Sequence, residues 1–167
     1  PDDFPLTHLW FLYVLTLCYA AMLVLRAVIA LVDRRGWIVR GTDAAMRLLT
    51  RPGAVLVLAA PLAFALASLP KWPMWFGIPT PDQSLYPNIA AATAFGSAFL
   101  FGWLLQRQRE LLDRIAQHSS LNLAIAITAT ATCLAIVGIN PWQEGPTDAW
   151  SRGCYAASYA LAGWSWT

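Results

Sequence analysis

The sequence predicts an all-α fold, a polytopic transmembrane helix bundle with four full spans and a truncated fifth. Three observations predict it. The 167 residues are 58% hydrophobic and only 12% charged, with nine Trp, against roughly 25% charged in a soluble domain. Five apolar stretches, at about 5–31, 53–69, 88–106, 121–139 and 152–167, recur at lengths near the ~20 residues that cross a hydrocarbon core about 30 Å thick. Arginine falls mainly between the stretches, in alternate connections. On these grounds residues 1–167 form part of a single integral membrane domain.

The first stretch is the most distinctive. From Phe4 to Leu25 there is no formal charge, yet the segment carries His8, Trp10, Tyr13, Thr16, Cys18 and Tyr19, with Arg26 just beyond. At about 100° per residue, His8, Tyr19 and Arg26 fall within roughly 20° of one another, on one stripe with Leu12, Leu15 and Met22. Ionisable groups in spans usually face a bundle interior or a watery cavity, so the stripe is expected to face protein. The plainer reading places His8 at one interface and lets Arg26 snorkel to the other.

Asp33 to Pro52 follows, with arginines at 34, 35, 40, 47 and 51 against two aspartates. Thr42 and Asp43 are expected to cap a short surface helix through Leu49. In the stretch 53–69, Pro61 is expected to kink the helix. Ala59, Ala63 and Ala67 form a small-residue ridge suited to close packing. The loop Pro70 to Pro87 holds five prolines together with Trp72, Trp75, Phe76 and Tyr86. Its rings suit an aromatic belt at the interface, or alternatively a stiff lid that stacks on a sugar or covers a cavity.

The stretch 88–106 carries Ala90, Ala94, Ala98 and Gly102 at four-residue spacing, a second packing face. Arg107 to Ser120 is short and charged, with three arginines and His118. In 121–139, Thr128, Thr130 and Thr132 can bond back to their own helix. Residues 140–151 hold two acids and no basic residue. Cys18, Cys133 and Cys154 all lie in apolar stretches without CxxC spacing and read as small core residues, not metal ligands or a disulfide framework.

Topology follows from the positive-inside rule. The connections 33–52 and 107–120 carry eight arginines, whereas 70–88 and 140–151 carry one lysine. The arginine-rich loops are therefore expected to be cytoplasmic, with the Pro/Trp loop and the N-terminal end external. The acidic start Pro1-Asp2-Asp3 lacks the basic region of a signal peptide. Together with an apolar run to the last residue, it suggests a piece of a longer protein.

Nucleotide-loop, dinucleotide, zinc-protease and serine-hydrolase motifs are absent. No acid sits within the apolar body of a span, which weighs against a proton-coupled carrier. No metal site, bound cofactor or nucleic-acid partner is expected.

Pro5-Leu6-Thr7-His8-Leu9-Trp10-Phe11-Leu12-Tyr13 resembles the HLWFL segment of the acyltransferase 3 family of multi-span membrane acyltransferases. The stretch Phe95 to Leu105, FGSAFLFGWLL, followed by Gln106-Arg107, also resembles that family. Within it the chain is most similar to the glucans biosynthesis protein C branch. The resemblance covers most of the chain. It implies acyl transfer from a cytoplasmic donor, acyl-CoA, to a hydroxyl of an envelope carbohydrate such as a glucan, in a bacterial inner membrane. Its partners are then membrane lipid, donor and acceptor; oligomeric state is left open. The family's motif of a basic residue, ten residues and a histidine has no counterpart in a span here. Arg107 and His118 have the spacing but sit in a charged surface segment, and no RxxR element occurs. The principal catalytic histidine is therefore expected upstream, and the fragment is expected to be inactive alone. Within the chain, His8 is the candidate base for the acceptor hydroxyl, and Trp10, Tyr19, Arg26, Trp72 and Trp75 are candidate substrate-binding residues. A carrier or lipid flippase is the alternative, although no inverted repeat is visible, and a non-catalytic membrane subunit is the third reading.

Overall fold

The computed structural model describes residues 9–69, 72–79, 88–140 and 148–167. Among these the chain is all helix: α1 (Trp10–Val32), α2 (Trp37–Leu49), α3 (Val55–Ala67), α4 (Ile89–Leu105), α5 (Glu110–Gln117), α6 (Ser119–Val137) and α7 (Ala149–Ser165), with a 3₁₀ turn at Met74–Phe76. Every apolar stretch of the sequence contains one long helix. By length and hydropathy α1 and α6 can each cross a membrane, and α4 with α5 forms a third candidate bent by 118° at the break between them. Helix α3, at 13 residues, spans about 20 Å at 1.5 Å per residue, less than a hydrocarbon core.

The core lies where α7 packs between α3 and α6. Many of its buried residues are small: Ala59 and Ala65 of α3, Cys133 and Val137 of α6, Ala156 and Ala160 of α7. Alanine lets helix backbones approach closely, which replaces a hydrophobic drive that lipid does not supply. Leu66, fully buried, and Leu62 fill the space between. The small-residue ridge of α4 divides along its length. Ala90 and Ala94 are buried, whereas Ala98 and Gly102 open onto a cavity. On α3, Ala59 is buried and Ala63 packs on the core, but Ala67 is exposed.

Contacts between helix ends fix the directions. Trp10 of α1 lies 5.4 Å from Phe95, and Tyr19 lies 5.8 Å from Trp103, between ring centroids. Phe101 of α4 meets Trp164 of α7 at 5.6 Å. Thus α1, α4 and α7 run one way and α3 and α6 the other. Both arginine-rich connections come to one end of the bundle, where Arg107 pairs with Asp43 at 3.7 Å and the Gln108 amide donates to the Asp43 carboxylate at 3.3 Å.

Helix α2 starts earlier than the Thr42–Asp43 cap expected from sequence. The Asp33 carboxylate accepts from the backbone N–H of Trp37 at 2.7 Å and of Val39 at 3.1 Å, so Asp33 supplies the cap. Gly36 makes the turn at φ 68°. Thr42 donates instead to the carbonyl of Ile38, and Asp43 is free for the tertiary contacts above. Asp148 caps α7 by accepting from Ser151 N–H at 2.8 Å, which holds its carboxyl below the usual range. That stabilisation is present above the ordinary carboxyl value of about 3.9 and is lost as pH falls through the lowered one.

At the opposite end the connection after α3 is clamped to α7. The Arg152 guanidinium donates to the carbonyl of Leu69, and the Tyr155 hydroxyl donates to the carbonyl of Met74 at 2.8 Å. The Trp72 indole donates to Gly77 at 2.6 Å. Asn88 caps α4 and also donates to Pro79 at 2.8 Å. Gly77 has φ 73°, and a Cβ there would lie 2.1 Å from the Tyr159 hydroxyl oxygen. Gly77→Ala should therefore destabilise the fold by at least about 1–3 kcal/mol. Thermal unfolding in detergent measures it, and an unchanged midpoint would show that this turn does not hold the loop.

Candidate functional site

Each site residue expected from sequence has a definite place, except His8, which lies outside the described residues. The predicted stripe on α1 divides: Leu12, Tyr19 and Arg26 are exposed, whereas Leu15 and Met22 are half-buried. The centre of the face that meets α4 is Val14, buried, with Cys18 and Met22 half-buried. Tyr19 sits beside this line and packs on Phe99 at 5.1 Å as well as on Trp103, while Leu12 is exposed. Aromatic contacts between α1 and α4, more than a polar interior, orient this helix. The remaining large side chains of α1, among them Leu17, Leu23, Val24, Val28 and Leu31, are exposed.

Toward the arginine-rich end the three helices α1, α2 and α4 separate to leave a groove of about 760 Å³. Its walls are apolar: Met22 and Ile29 from α1, Ile38 and Val39 from α2, Leu100 and Trp103 from α4. Its polar residues are Arg26, Thr42, Gln106 and Arg107. Arg107 is held by Asp43; Arg26 is exposed. Two guanidinium groups over an apolar trough match an anion that carries a hydrocarbon chain, because a guanidinium presents its N–H donors in a fork suited to phosphate or carboxylate. Among the described residues its polar lining is two guanidinium groups, one amide and one hydroxyl.

The aromatic candidates of the Pro/Trp loop occupy two settings. Trp72 is buried against Tyr155, with centroids 5.2 Å apart, and against Tyr159, edge-on at 6.1 Å. Its one polar atom is already bonded to Gly77, so the ring is a structural plug as it stands. Trp75 is half-buried and lines a cavity of about 420 Å³ between α3, α6 and α7, with Tyr155, Tyr159 and Cys133. Phe76 is 72% exposed, the one described ring of this loop available to an interface.

The threonines of α6 follow their expected back-bonding in part. Thr128 donates to Ala124 and Thr132 to Thr128, but Thr130 accepts from the Trp166 indole at 3.3 Å. Arg107 and His118 lie outside the long apolar helices, at the two ends of the α5 segment.

Arg107, Trp103 and Asp43 are site residues that sequence reading did not select. Arg107 had been set aside as part of a surface segment. Only the bend between α4 and α5 turns it back toward α1.

Comparison of the chain with protein-family models, with curated proteins and with solved structures finds no match.

If the rings of α1 and α4 act as a pair, a double-mutant cycle of Tyr19→Ala and Trp103→Ala should give a coupling of about 0.5–1.5 kcal/mol. Unfolding in detergent reads it. Strict additivity would mean the two rings are neighbours without mutual stabilisation.

Proposed function

We propose that this chain is part of a membrane O-acyltransferase that takes an acyl group from acyl-CoA on the cytoplasmic side and passes it to a hydroxyl of an envelope carbohydrate such as a glucan. On this reading the chain contributes four full spans and part of a fifth in a bacterial inner membrane. The loops 33–52 and 107–120 are cytoplasmic. The observation that carries the reading is the groove between α1, α2 and α4, where Arg26 and Arg107 stand over an apolar trough at the arginine-rich end. A donor with phosphates and a hydrocarbon chain meets both halves of that lining. A second observation supports it. The two sequence segments that resemble the acyltransferase 3 family, around Trp10 and Phe95, pack against each other, so they form one structural unit.

In this scheme Arg26 and Arg107 hold the donor phosphates by charge-assisted hydrogen bonds. Trp103 bounds the acyl chain, and Tyr19 packs edge-on against that ring. His8 precedes α1 at the external end, where it deprotonates or orients the acceptor hydroxyl. Trp10 is on the first turn of α1 near that end, and Trp72 and Trp75 support the external loop over which the sugar lies. On this reading the family's principal catalytic histidine is not assigned to a residue of this chain.

The same groove also suits a lipid flippase, since a phospholipid shares the donor's chemistry of anion plus chain. Transfer of labelled acyl groups separates the two. Full-length protein incubated with radiolabelled acyl-CoA and purified glucan should leave label covalently on the glucan. Arg26→Gln should raise KM for acyl-CoA about tenfold with little change in kcat, because it removes binding common to ground and transition states. Lipid movement between leaflets with no label on any carbohydrate would overturn the acyltransferase reading.

A further inference from the structure

Helix α2 divides into two sides. At about 100° per residue, Val39, Thr42, Asp43, Met46 and Leu49 fall within roughly 120° of one another. Met46 is buried and the other four are half-buried. The rest of the helix lies on the other side and is exposed. There Trp37, Arg40, Ala44, Arg47 and Leu48 share an arc of roughly 100°. Trp37 is 68% exposed and Leu48 54%, so this outer side carries large apolar groups as well as charge.

The charge on that side has no internal counterpart. Arg34 and Arg35 precede the helix, Arg51 follows it, and all three are exposed like Arg40 and Arg47. None of these five arginines makes an ion pair among the described residues. The two acids of the same connection are engaged elsewhere. Asp33 accepts from the backbone of Trp37 and Val39, and Asp43, on the inner side, pairs with Arg107.

The position of α2 selects the partner. Helix α1 ends at Val32 and α3 begins at Val55, and their opposite directions bring both of these points to one end of the bundle. The 13 residues of α2 are thus tied at both ends to the level where apolar helices stop. An indole favours the membrane–water interface. An arginine can lay its stem on apolar surroundings while its guanidinium meets a phosphate, and basic residues beside a span are drawn to anionic lipid. A soluble acidic partner would account for the arginines; a membrane surface accounts for the arginines, Trp37 and Leu48 together.

We propose that the outer side of α2 docks on the anionic lipid surface at this end of the bundle. Trp37 and Leu48 sit at the boundary of the acyl chains, and Arg40 and Arg47 meet lipid phosphates. Arg34, Arg35 and Arg51 extend the basic patch past both ends of the helix. The proposal requires a membrane setting but not acyl transfer, so it stands or falls separately from the function proposed above.

The test uses full-length protein with Cys18, Cys133 and Cys154 replaced by serine and Ala44→Cys labelled with bimane, reconstituted in nanodiscs. The probes are phosphatidylglycerol and phosphatidylcholine, each spin-labelled near the headgroup, and iodide in the water. Phosphatidylglycerol should quench the label in preference to phosphatidylcholine by at least about fivefold, the effect of one arginine near an anionic surface. Arg40→Gln combined with Arg47→Gln should remove most of that preference; both side chains are exposed, so the fold should tolerate the change. Equal quenching by the two lipids, or a preference that survives the double substitution, would overturn the proposal. Quenching by iodide and by neither lipid would overturn it in favour of a soluble partner. Protection from all three probes would overturn it in favour of cover by protein.

Discussion

Close packing of small residues between α3, α6 and α7 is the interaction on which the other features depend. Leucine-rich helices have little reason to associate in lipid, which is as apolar as they are. Ala59, Ala65, Cys133, Ala156 and Ala160 let the three backbones come together, and dispersion over the resulting surface holds them. With α7 seated, its outer turns present Arg152, Tyr155 and Tyr159 to the connection after α3. Residues 72–79 are then tied to α7 through the carbonyl of Met74, which accepts from Tyr155. At the other end the same seating brings Trp164 against Phe101.

The bundle is chemically asymmetric along its axis. One end is built from proline, tryptophan and tyrosine, and the other collects the arginines of two separate connections. The contact of Asp43 with Arg107 and Gln108 joins those connections, so their charges act at one surface. Between them the helices leave two apolar recesses that open toward guanidinium groups. Such recesses have the chemistry that suits amphiphilic anions. Helix α1 is held mainly by the ring contacts to α4 and keeps much of its apolar surface uncovered.

Much of the helical architecture was legible in the sequence, because uncharged runs near twenty residues and clustered arginine are strong signals. All five apolar stretches carry a helix within a few residues of the expected bounds. Individual residues were less legible. Asp33 caps α2 from four residues before its first helical residue, a reach that depends on the left-handed turn at Gly36, and Thr42-Asp43 offered a more familiar pattern. The stripe through Tyr19 and Arg26 is expected to face protein, but Leu12, Tyr19 and Arg26 are exposed. Which face met α4 depended on Val14 and Cys18, which hydropathy does not distinguish from their neighbours. Trp72 looked like an interfacial ring, but its indole N–H finds a carbonyl only five residues on, and that allows the whole ring to turn inward. Arg107 reaches the groove at the bend after α4, which no local pattern encodes.

The central claim is that the arginine-rich end is the cytoplasmic surface and the Pro/Trp end the external one. Single cysteines introduced at Arg114 and at Gln83, in a full-length background with Cys18, Cys133 and Cys154 replaced by serine, test it with a membrane-impermeant maleimide. The account predicts that position 83 labels in intact spheroplasts and that position 114 labels only after lysis. Labelling of position 114 in intact spheroplasts, with position 83 protected until lysis, would invert the bundle and contradict both the donor groove and its cytoplasmic supply.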